Sequence, residues 1–139
     1  MTVNYTELAN ELIQSLIESR IGKEPALSEK IGGETLLLYY LLEKGEAAPS
    51  DLAWAMGVTS ARVAAALNDL ESKELIKRKI DTNDRRKIIV SLTNKGINTT
   101  KTTMSMFVER FSSLLQKLGE DDAKEYIRIT KKMSELVFK

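Results

Sequence analysis

A mostly α-helical chain with one small antiparallel β-hairpin is the fold class that the sequence predicts, and three observations predict it. Apolar residues recur at steps of three and four along most of the 139 residues. That period gives way to alternation at Ile76-Lys77-Arg78-Lys79-Ile80 and to a β-branched run at Lys87-Ile88-Ile89-Val90-Ser91-Leu92. Between these two runs lies Asp81-Thr82-Asn83-Asp84-Arg85-Arg86, rich in turn-forming residues and charged at its tip.

The elements follow in order. Leu8, Leu12, Ile13, Leu16 and Ile17 form one apolar stripe and predict a first helix, with a break around Gly22-Lys23-Glu24-Pro25 because proline disfavours helix in the residue before it. Gly32-Gly33 opens a second helix through Leu36, Leu37, Tyr40 and Leu41, stopped at Gly45. Pro49 suits the first position of a short helix, Ser50 to Met56, with Leu52, Ala53 and Met56 turned inward and Gly57 ending it. Thr59 is the N-cap of the next helix, since its hydroxyl accepts from unpaired first-turn amides; Val63, Leu67 and Leu70 are its inner face, and it runs to about Lys73. After the hairpin, Thr93 caps a long helix in which Met104, Phe107, Phe111, Leu114 and Leu118 recur at steps of 3, 4, 3 and 4, widened by Val108 and Leu115. Such spacing is what packing on a near-parallel partner helix requires. Gly119 stops it. Glu120, Asp121 and Asp122 place negative charge at the start of a last helix, where the dipole favours it, and that helix is expected to bury Tyr126, Ile127, Thr130, Met133 and Val137.

Composition limits the chemistry. At 42% hydrophobic and 29% charged residues, the chain reads as one continuous soluble domain. There is no cysteine, which excludes disulfides, thiolate catalysis and thiolate metal ligation. There is no histidine either, so the usual base at neutral pH and the commonest transition-metal ligand are missing. Neither an enzyme nor a bound cofactor is expected, and Asp121 and Asp122 are explained as first-turn charge. The longest apolar run, Leu36 to Leu42, is seven residues, against the roughly 20 that crossing a bilayer needs. The first residues lack the basic region and apolar core of a signal peptide, so a cytoplasmic location is expected. Net charge is +1, but residues 1–58 balance at −5, residues 59–96 at +4 and residues 97–139 at +2. The basic middle suggests a local contact with a polyanion.

That segment also carries the candidate site. Two short helices joined through Gly57 form a helix-turn-helix, and the hairpin makes it winged. Opposite the buried face of the second helix stand Ala61, Ala65, Asn68 and Ser72, with Arg62 at the border. A helix that enters a major groove needs small residues where it meets the walls and long donors near its N-terminus. Ala61 and Ala65 allow close approach, Arg62 can address guanine, and Asn68 can pair with adenine or a phosphate. Thr59 and Ser60, with first-turn amides, can hold a phosphate. Arg85 and Arg86 sit in a turn where no packing demands them, and Asp84 is placed to hold an arginine in one orientation. An arginine on a thin loop suits the narrow minor groove of A·T-rich DNA, with Lys77, Arg78, Lys79 and Lys87 as phosphate contacts.

The residues Gly57-Val58-Thr59, Leu70-Glu71-Ser72-Lys73-Glu74-Leu75-Ile76-Lys77-Arg78, Asp84-Arg85-Arg86-Lys87 and Val90-Ser91-Leu92-Thr93-Asn94-Lys95-Gly96, together with Pro49-Ser50-Asp51-Leu52-Ala53, resemble the MarR family of bacterial transcription regulators. The resemblance implies a homodimer that binds a pseudo-palindromic operator in double-stranded DNA and usually represses. It also implies that Asp84 orients Arg86 toward the minor groove while the helix from Thr59 reads the major groove. Residues 1–32 then form an N-terminal dimerisation helix and connection, 33–96 the DNA-binding lobe, and 97–139 the C-terminal dimerisation helices. The sequence departs from the family where Glu74 replaces a common glycine, where Ala65 replaces a frequent arginine, and where Ala48 replaces the hydroxyl cap before Pro49. A left-handed glutamate costs about 1–2 kcal/mol, unless the helix ends differently.

Independently of the resemblance, the apolar stripes of the terminal helices exceed what a winged-helix lobe can cover. Leu8, Leu12, Leu16, Phe107, Phe111, Leu118, Tyr126 and Met133 are the expected dimer interface. By the resemblance, a small anionic or aromatic effector binds where these helices meet the lobe, and Arg20, Tyr39, Tyr40, Trp54 and Phe107 are the candidate lining. The competing reading is a winged-helix protein-interaction module whose basic wing meets an acidic partner without specific DNA binding.

Overall fold

The computed structural model describes residues 3–20 and 33–137. Six helices and three short strands follow one another in the described residues: α1 (Tyr5–Arg20), α2 (Gly33–Lys44), β1 (Glu46–Ala47), α3 (Pro49–Met56), α4 (Ser60–Ser72), β2 (Ile76–Ile80), β3 (Ile88–Leu92), α5 (Asn94–Leu118) and α6 (Glu120–Val137). The expected break at Gly22-Lys23-Glu24-Pro25 lies outside the described residues. The sheet is antiparallel in the order β1-β3-β2, with Ile76 opposite Leu92, Arg78 opposite Val90 and Ile80 opposite Ile88. β1 is an addition to the expected hairpin: Glu46 and Ala47 pair with Ser91 and Val90, and two residues carry too little pattern to be read as a strand. Lys87 belongs to the turn rather than to β3.

Two cores organise the chain. One lies in the lobe, where Leu37 and Leu41 of α2, Leu52 of α3, Val63, Leu67 and Leu70 of α4, and Ile76 and Val90 of the sheet are buried together. The other joins Ala9 and Leu12 of α1 to Leu115 of α5 and to Ala123 and Ile127 of α6. Ile13 and Leu36, with Phe107 and Met104 packed against them, bridge the two.

Several expected inner faces shift. In α3 the buried partner of Leu52 is Ala55, while Ala53 and Met56 are half-buried. In α6 only Ile127 of the expected residues is buried, with Thr130 half-buried; Tyr126 and Met133 are 48% and 61% exposed. The reason is rotation: α6 turns Ala123 and Ile127 toward α1, which leaves Tyr126, Ile129, Met133 and Leu136 on its outer side. The side chains of Leu16, Ile17 and Val137 lie outside the described residues.

The caps explain the boundaries. Thr59 Oγ1 accepts from Arg62 N at 3.2 Å, and Thr93 Oγ1 accepts from Gly96 N at 2.9 Å. Ala48 has no side-chain acceptor, yet Asp51 Oδ2 reaches back to accept from Ala48 N at 3.2 Å. At the end of α3, Gly57 takes φ 64°, with Gly57 N donating to Trp54 O and Val58 N to Ala53 O. The end of α4 repeats this pattern with a glutamate. Glu74 has φ 63°, Glu74 N donates to Glu71 O at 2.9 Å, and Leu75 N donates to Leu70 O at 3.0 Å. Of the two possibilities at this position, the left-handed turn is therefore the one adopted.

Candidate nucleic-acid interface

α3, the three residues Gly57, Val58 and Thr59, and α4 make the helix-turn-helix, and β2 and β3 extend from it as a wing. Burial of Val63, Leu67 and Leu70 forces the other side of α4 outward, so Ser60, Ala61, Arg62, Ala65 and Asn68 are all exposed on one helix, led by the exposed cap Thr59. Small side chains at Ala61 and Ala65 leave this surface low enough for close approach of a groove wall.

The wing tip is ordered by its own polar groups. Asp81 Oδ1 accepts from Asn83 N at 2.9 Å, and Asp81 N donates to Lys87 O at 2.9 Å. Asp84 Oδ1 accepts from Arg86 N at 3.1 Å and from Arg86 Nε at 3.3 Å. The carboxylate thus grips both the backbone and the side chain of Arg86, whose side chain is nonetheless 92% exposed. A guanidinium held at its Nε edge keeps its terminal nitrogens free to donate outward. Arg85 and Lys87 are exposed beside it.

The base of the wing is tied to α4. Arg78 Nη2 donates to Asn68 Oδ1 at 2.5 Å, and Arg78 Nε lies 3.2 Å from Glu71 Oε2. Arg78 is accordingly turned toward the helix rather than out to solvent, and Asn68 has a partner within the chain; both depart from the expected free contacts. Lys77 is exposed, while Lys79 lies 3.8 Å from Glu46 Oε2 of β1. The far end of α4 is fixed to α2 by Lys73, whose Nζ is 3.1 Å from Glu34 Oε2 and 2.9 Å from Asp69 Oδ2. A hydrogen bond with Asp69, then partial burial, raises the Glu34 carboxyl above its ordinary value. The same hydrogen bond, then that of Lys73, holds the Asp69 carboxyl below its own. Apart from the Asp69–Lys73 pair, one helical turn apart, these anchors join different elements and carry no local signal.

The start of α5 closes the lobe. Thr93 Oγ1 donates to Glu74 O at 2.6 Å, Lys95 Nζ donates to Lys73 O at 3.0 Å, and Thr93 N donates to Leu75 O at 3.0 Å. A Cβ at Gly96 would stand 2.0 Å from Leu75 O, so only glycine permits this approach.

Of the expected effector residues, Tyr39 and Phe107 pack in one cluster, while Tyr40 and Trp54 lie elsewhere. Tyr39 lines a groove of about 570 Å³ with Leu42 of α2 and Lys101, Met104 and Val108 of α5. Tyr40 instead packs on the lobe core, and Trp54 is 84% exposed on α3. Phe107 belongs to the cluster that bridges the cores, and the side chain of Arg20 lies outside the described residues. Burial periodicity explains this: Leu52 and Ala55 face inward, which turns position 54 outward.

A three-helix layer and a winged lobe in this order match known proteins. The family model described as MarR family matches residues 33–88. A glutamine-to-proline variant of MepR from a multidrug-resistant S. aureus clinical isolate is 30% identical, covering 75% of this chain and 78% of that one, with a TM-score of 0.56. The chain belongs to the MarR family. YusO from Bacillus subtilis is 26% identical over 93% of this chain and 85% of its own, with a TM-score of 0.64. A phenylalanine-to-leucine variant of S. aureus MepR bound to an oligodeoxyribonucleotide is 26% identical over 97% of this chain and 99% of that one, with a TM-score of 0.57. No curated protein is significantly similar in sequence. Members of the MarR family are transcription regulators, and the winged helix-turn-helix described above is the MarR regulator fold. Among the described residues no helix is long and apolar enough to cross a membrane, and no group of acidic residues is placed to hold a metal ion.

Proposed function

We propose that the chain is a cytoplasmic, sequence-specific transcription regulator that binds a pseudo-palindromic operator as a homodimer and represses by occupying it. The single observation that carries this reading is the Asp84–Arg86 clamp: a guanidinium presented almost fully to solvent, oriented at both backbone and side chain, beside an exposed helix face of small and polar residues. In this reading Arg86 enters the minor groove, Arg85, Lys77 and Lys87 meet phosphates, and Thr59 with Ser60 holds a phosphate at the start of α4. Arg62 reads a base edge between Ala61 and Ala65. Asn68 and Arg78 set the angle between helix and wing. The relative bound to an oligodeoxyribonucleotide supports the partner class.

Dimerisation is supported by the apolar surface that α5 and α6 leave uncovered. Leu114, Leu118, Tyr126, Ile129, Met133 and Leu136 are 44–62% exposed. Leu118 and Tyr126 also line an apolar groove of about 360 Å³ with Phe111, Leu114 and Leu115. A second copy burying these faces sets two copies of α4 about 34–36 Å apart, one turn of DNA. Leu12 has its partners within the chain, and Leu8, Phe107 and Phe111 are half-buried there, so the second copy adds to them rather than supplying all their cover. The groove at Tyr39, between α1, α2 and α5, is the place this reading assigns to a small anionic or aromatic effector.

The test is selection of bound fragments from a genomic DNA pool at about 0.15 M salt, near physiological ionic strength. Enrichment of one pseudo-palindrome is the expected outcome. Retention without sequence preference, or none, overturns the operator reading in favour of a protein-interaction module.

A further inference from the structure

The wing carries an exposed apolar pair that the clamp does not use. Side chains alternate along β2, so Ile76, Arg78 and Ile80 share one face, opposite Leu92, Val90 and Ile88 of β3. The inner end of this face is core: Ile76, Val90 and Leu92 are 2%, 0% and 7% exposed. Its middle is occupied by Arg78, which reaches across to Asn68 and Glu71 of α4. Its outer end is the pair Ile80 and Ile88, which stand 63% and 44% exposed past the recognition helix. Single exposed apolar residues are ordinary, but two branched side chains directly opposite one another make a continuous surface at a place where turn chemistry would favour polar residues.

Arg78, Arg86 and Lys87 border this surface, with Asp51 on the α3 side and Asp81 at the turn. Ile88 lines a cleft of about 330 Å³ together with Arg86 and Lys87 of the wing and Pro49 and Ser50 of α3. Lys87 precedes Ile88 in sequence, whereas Lys79 stands on the opposite face of β2 near Glu46. An apolar surface bordered by Arg86 and Lys87 complements a polymer whose backbone alternates anionic phosphates with apolar sugar edges. If α4 lies in a major groove and the wing tip in the adjacent minor groove, one sugar–phosphate strand must cross between them. The face that runs from Arg78 outward to Ile80 and Ile88 is the face that looks into that gap.

We propose that Ile80 and Ile88 are sugar-contacting residues of the wing, packing on deoxyriboses of the strand that separates the two grooves. The inference rests on the operator reading above. The pair fixes the depth to which Arg86 enters the minor groove and so favours sites where that groove is narrow.

The experiment uses the full chain, a DNA fragment recovered by the genomic selection, and the variants Ile80→Thr, Ile88→Thr and their combination, which keep β-branching in both strands. Affinity is measured between about 0.05 and 0.2 M salt. The double variant is expected to bind roughly three- to tenfold more weakly, the scale of withdrawing one or two methyl groups from contact, with the slope of log affinity against log salt unchanged. Lys77→Ala, which removes a phosphate contact in the reading above, by contrast lowers that slope by about 1. If the threonine pair impairs folding, Ile80→Val with Ile88→Val keeps the question answerable, with a smaller loss expected. Wild-type affinity in the double variant overturns this inference alone. So does a loss accompanied by a lower salt slope, or an unchanged affinity with a changed oligomeric state in light scattering, which would assign the pair to a protein contact. Failure of the wild-type chain to select any sequence overturns the operator reading first.

Discussion

Arg78 on β2 and Asn68 on α4 are joined by a hydrogen bond of 2.5 Å, which makes the wing and the recognition helix one unit. Arg78 Nε is shielded from solvent and has the Glu71 carboxylate 3.2 Å away without an aligned hydrogen bond. Removal of either partner therefore leaves polar atoms poorly satisfied where the wing meets α4, beyond the apolar packing of Leu67 and Leu70 on the sheet.

A double-mutant cycle with Arg78→Ala and Asn68→Ala measures this link. Urea unfolding should give a coupling energy of about 0.5–1 kcal/mol between the two sites. Additive effects would show that the wing holds its angle through the sheet and core alone.

Glu74→Gly should raise the stability of the fold. Glu74 occupies a left-handed conformation that costs a residue with a Cβ about 1–2 kcal/mol, while glycine gives back part of that gain through the greater freedom of its unfolded chain. A net stabilisation of about 0.5–1 kcal/mol is expected, read as a higher urea midpoint with an unchanged slope. A lowered midpoint would mean that the glutamate side chain contributes more than its backbone costs.

Arg86→Ala should weaken operator binding by at least about 1 kcal/mol. Because the side chain is 92% exposed, the melting temperature should stay at its wild-type value. Equal affinity at matched salt would remove the wing tip from recognition.

Leu118→Asp tests the dimer better than a change at Phe111. Leu118 is 50% exposed and Phe111 half-buried within the chain, so a charge at position 118 disturbs the protomer less. Light scattering should report a monomer, and helix content by circular dichroism should persist. A dimer of wild-type mass would place the interface elsewhere.

The Glu34–Asp69–Lys73 anchor predicts a pH signature. The raised Glu34 carboxyl contributes stability that is fully present below its unfolded value and lost as pH rises through its folded value. The lowered Asp69 carboxyl contributes stability that is present above its unfolded value and lost as pH falls through its folded value. Both contributions coexist in the mildly acidic range around the ordinary values of 4.5 and 3.8, where a protonated Glu34 donates to an ionised Asp69. The stability difference between the wild type and Asp69→Asn should peak there. A difference that does not vary with pH would break the proposed sharing of one proton.

The sequence by itself determined the helix order, the caps at Thr59 and Thr93, the stops at Gly57 and Gly119, and the hairpin with Asp84 beside Arg86. Each of these is written within a few residues, where backbone propensity and short-range hydrogen bonding act. The exposed row Ala61, Arg62, Ala65 and Asn68 was legible for a similar reason: one buried stripe fixes the opposite face of a helix.

Only the tertiary structure decided which way α6 turns, because Tyr126, Ile127 and Met133 all carry large apolar surface and the packing of α1 chose Ile127 and Ala123. It decided that Arg78 serves Asn68 instead of facing solvent, through a contact between strand and helix. It separated Tyr40 and Trp54 from Tyr39, which the resemblance had grouped as an effector lining. And it settled the end of α4, where local preference opposed a left-handed glutamate. There the carbonyls of Lys73, Glu74 and Leu75 are taken by Lys95, Thr93 and the Thr93 backbone, and Gly96 lets α5 come close enough to hold them. Interactions made by residues about twenty positions apart outweighed the conformational cost at one, and no local reading of Glu74 contains them.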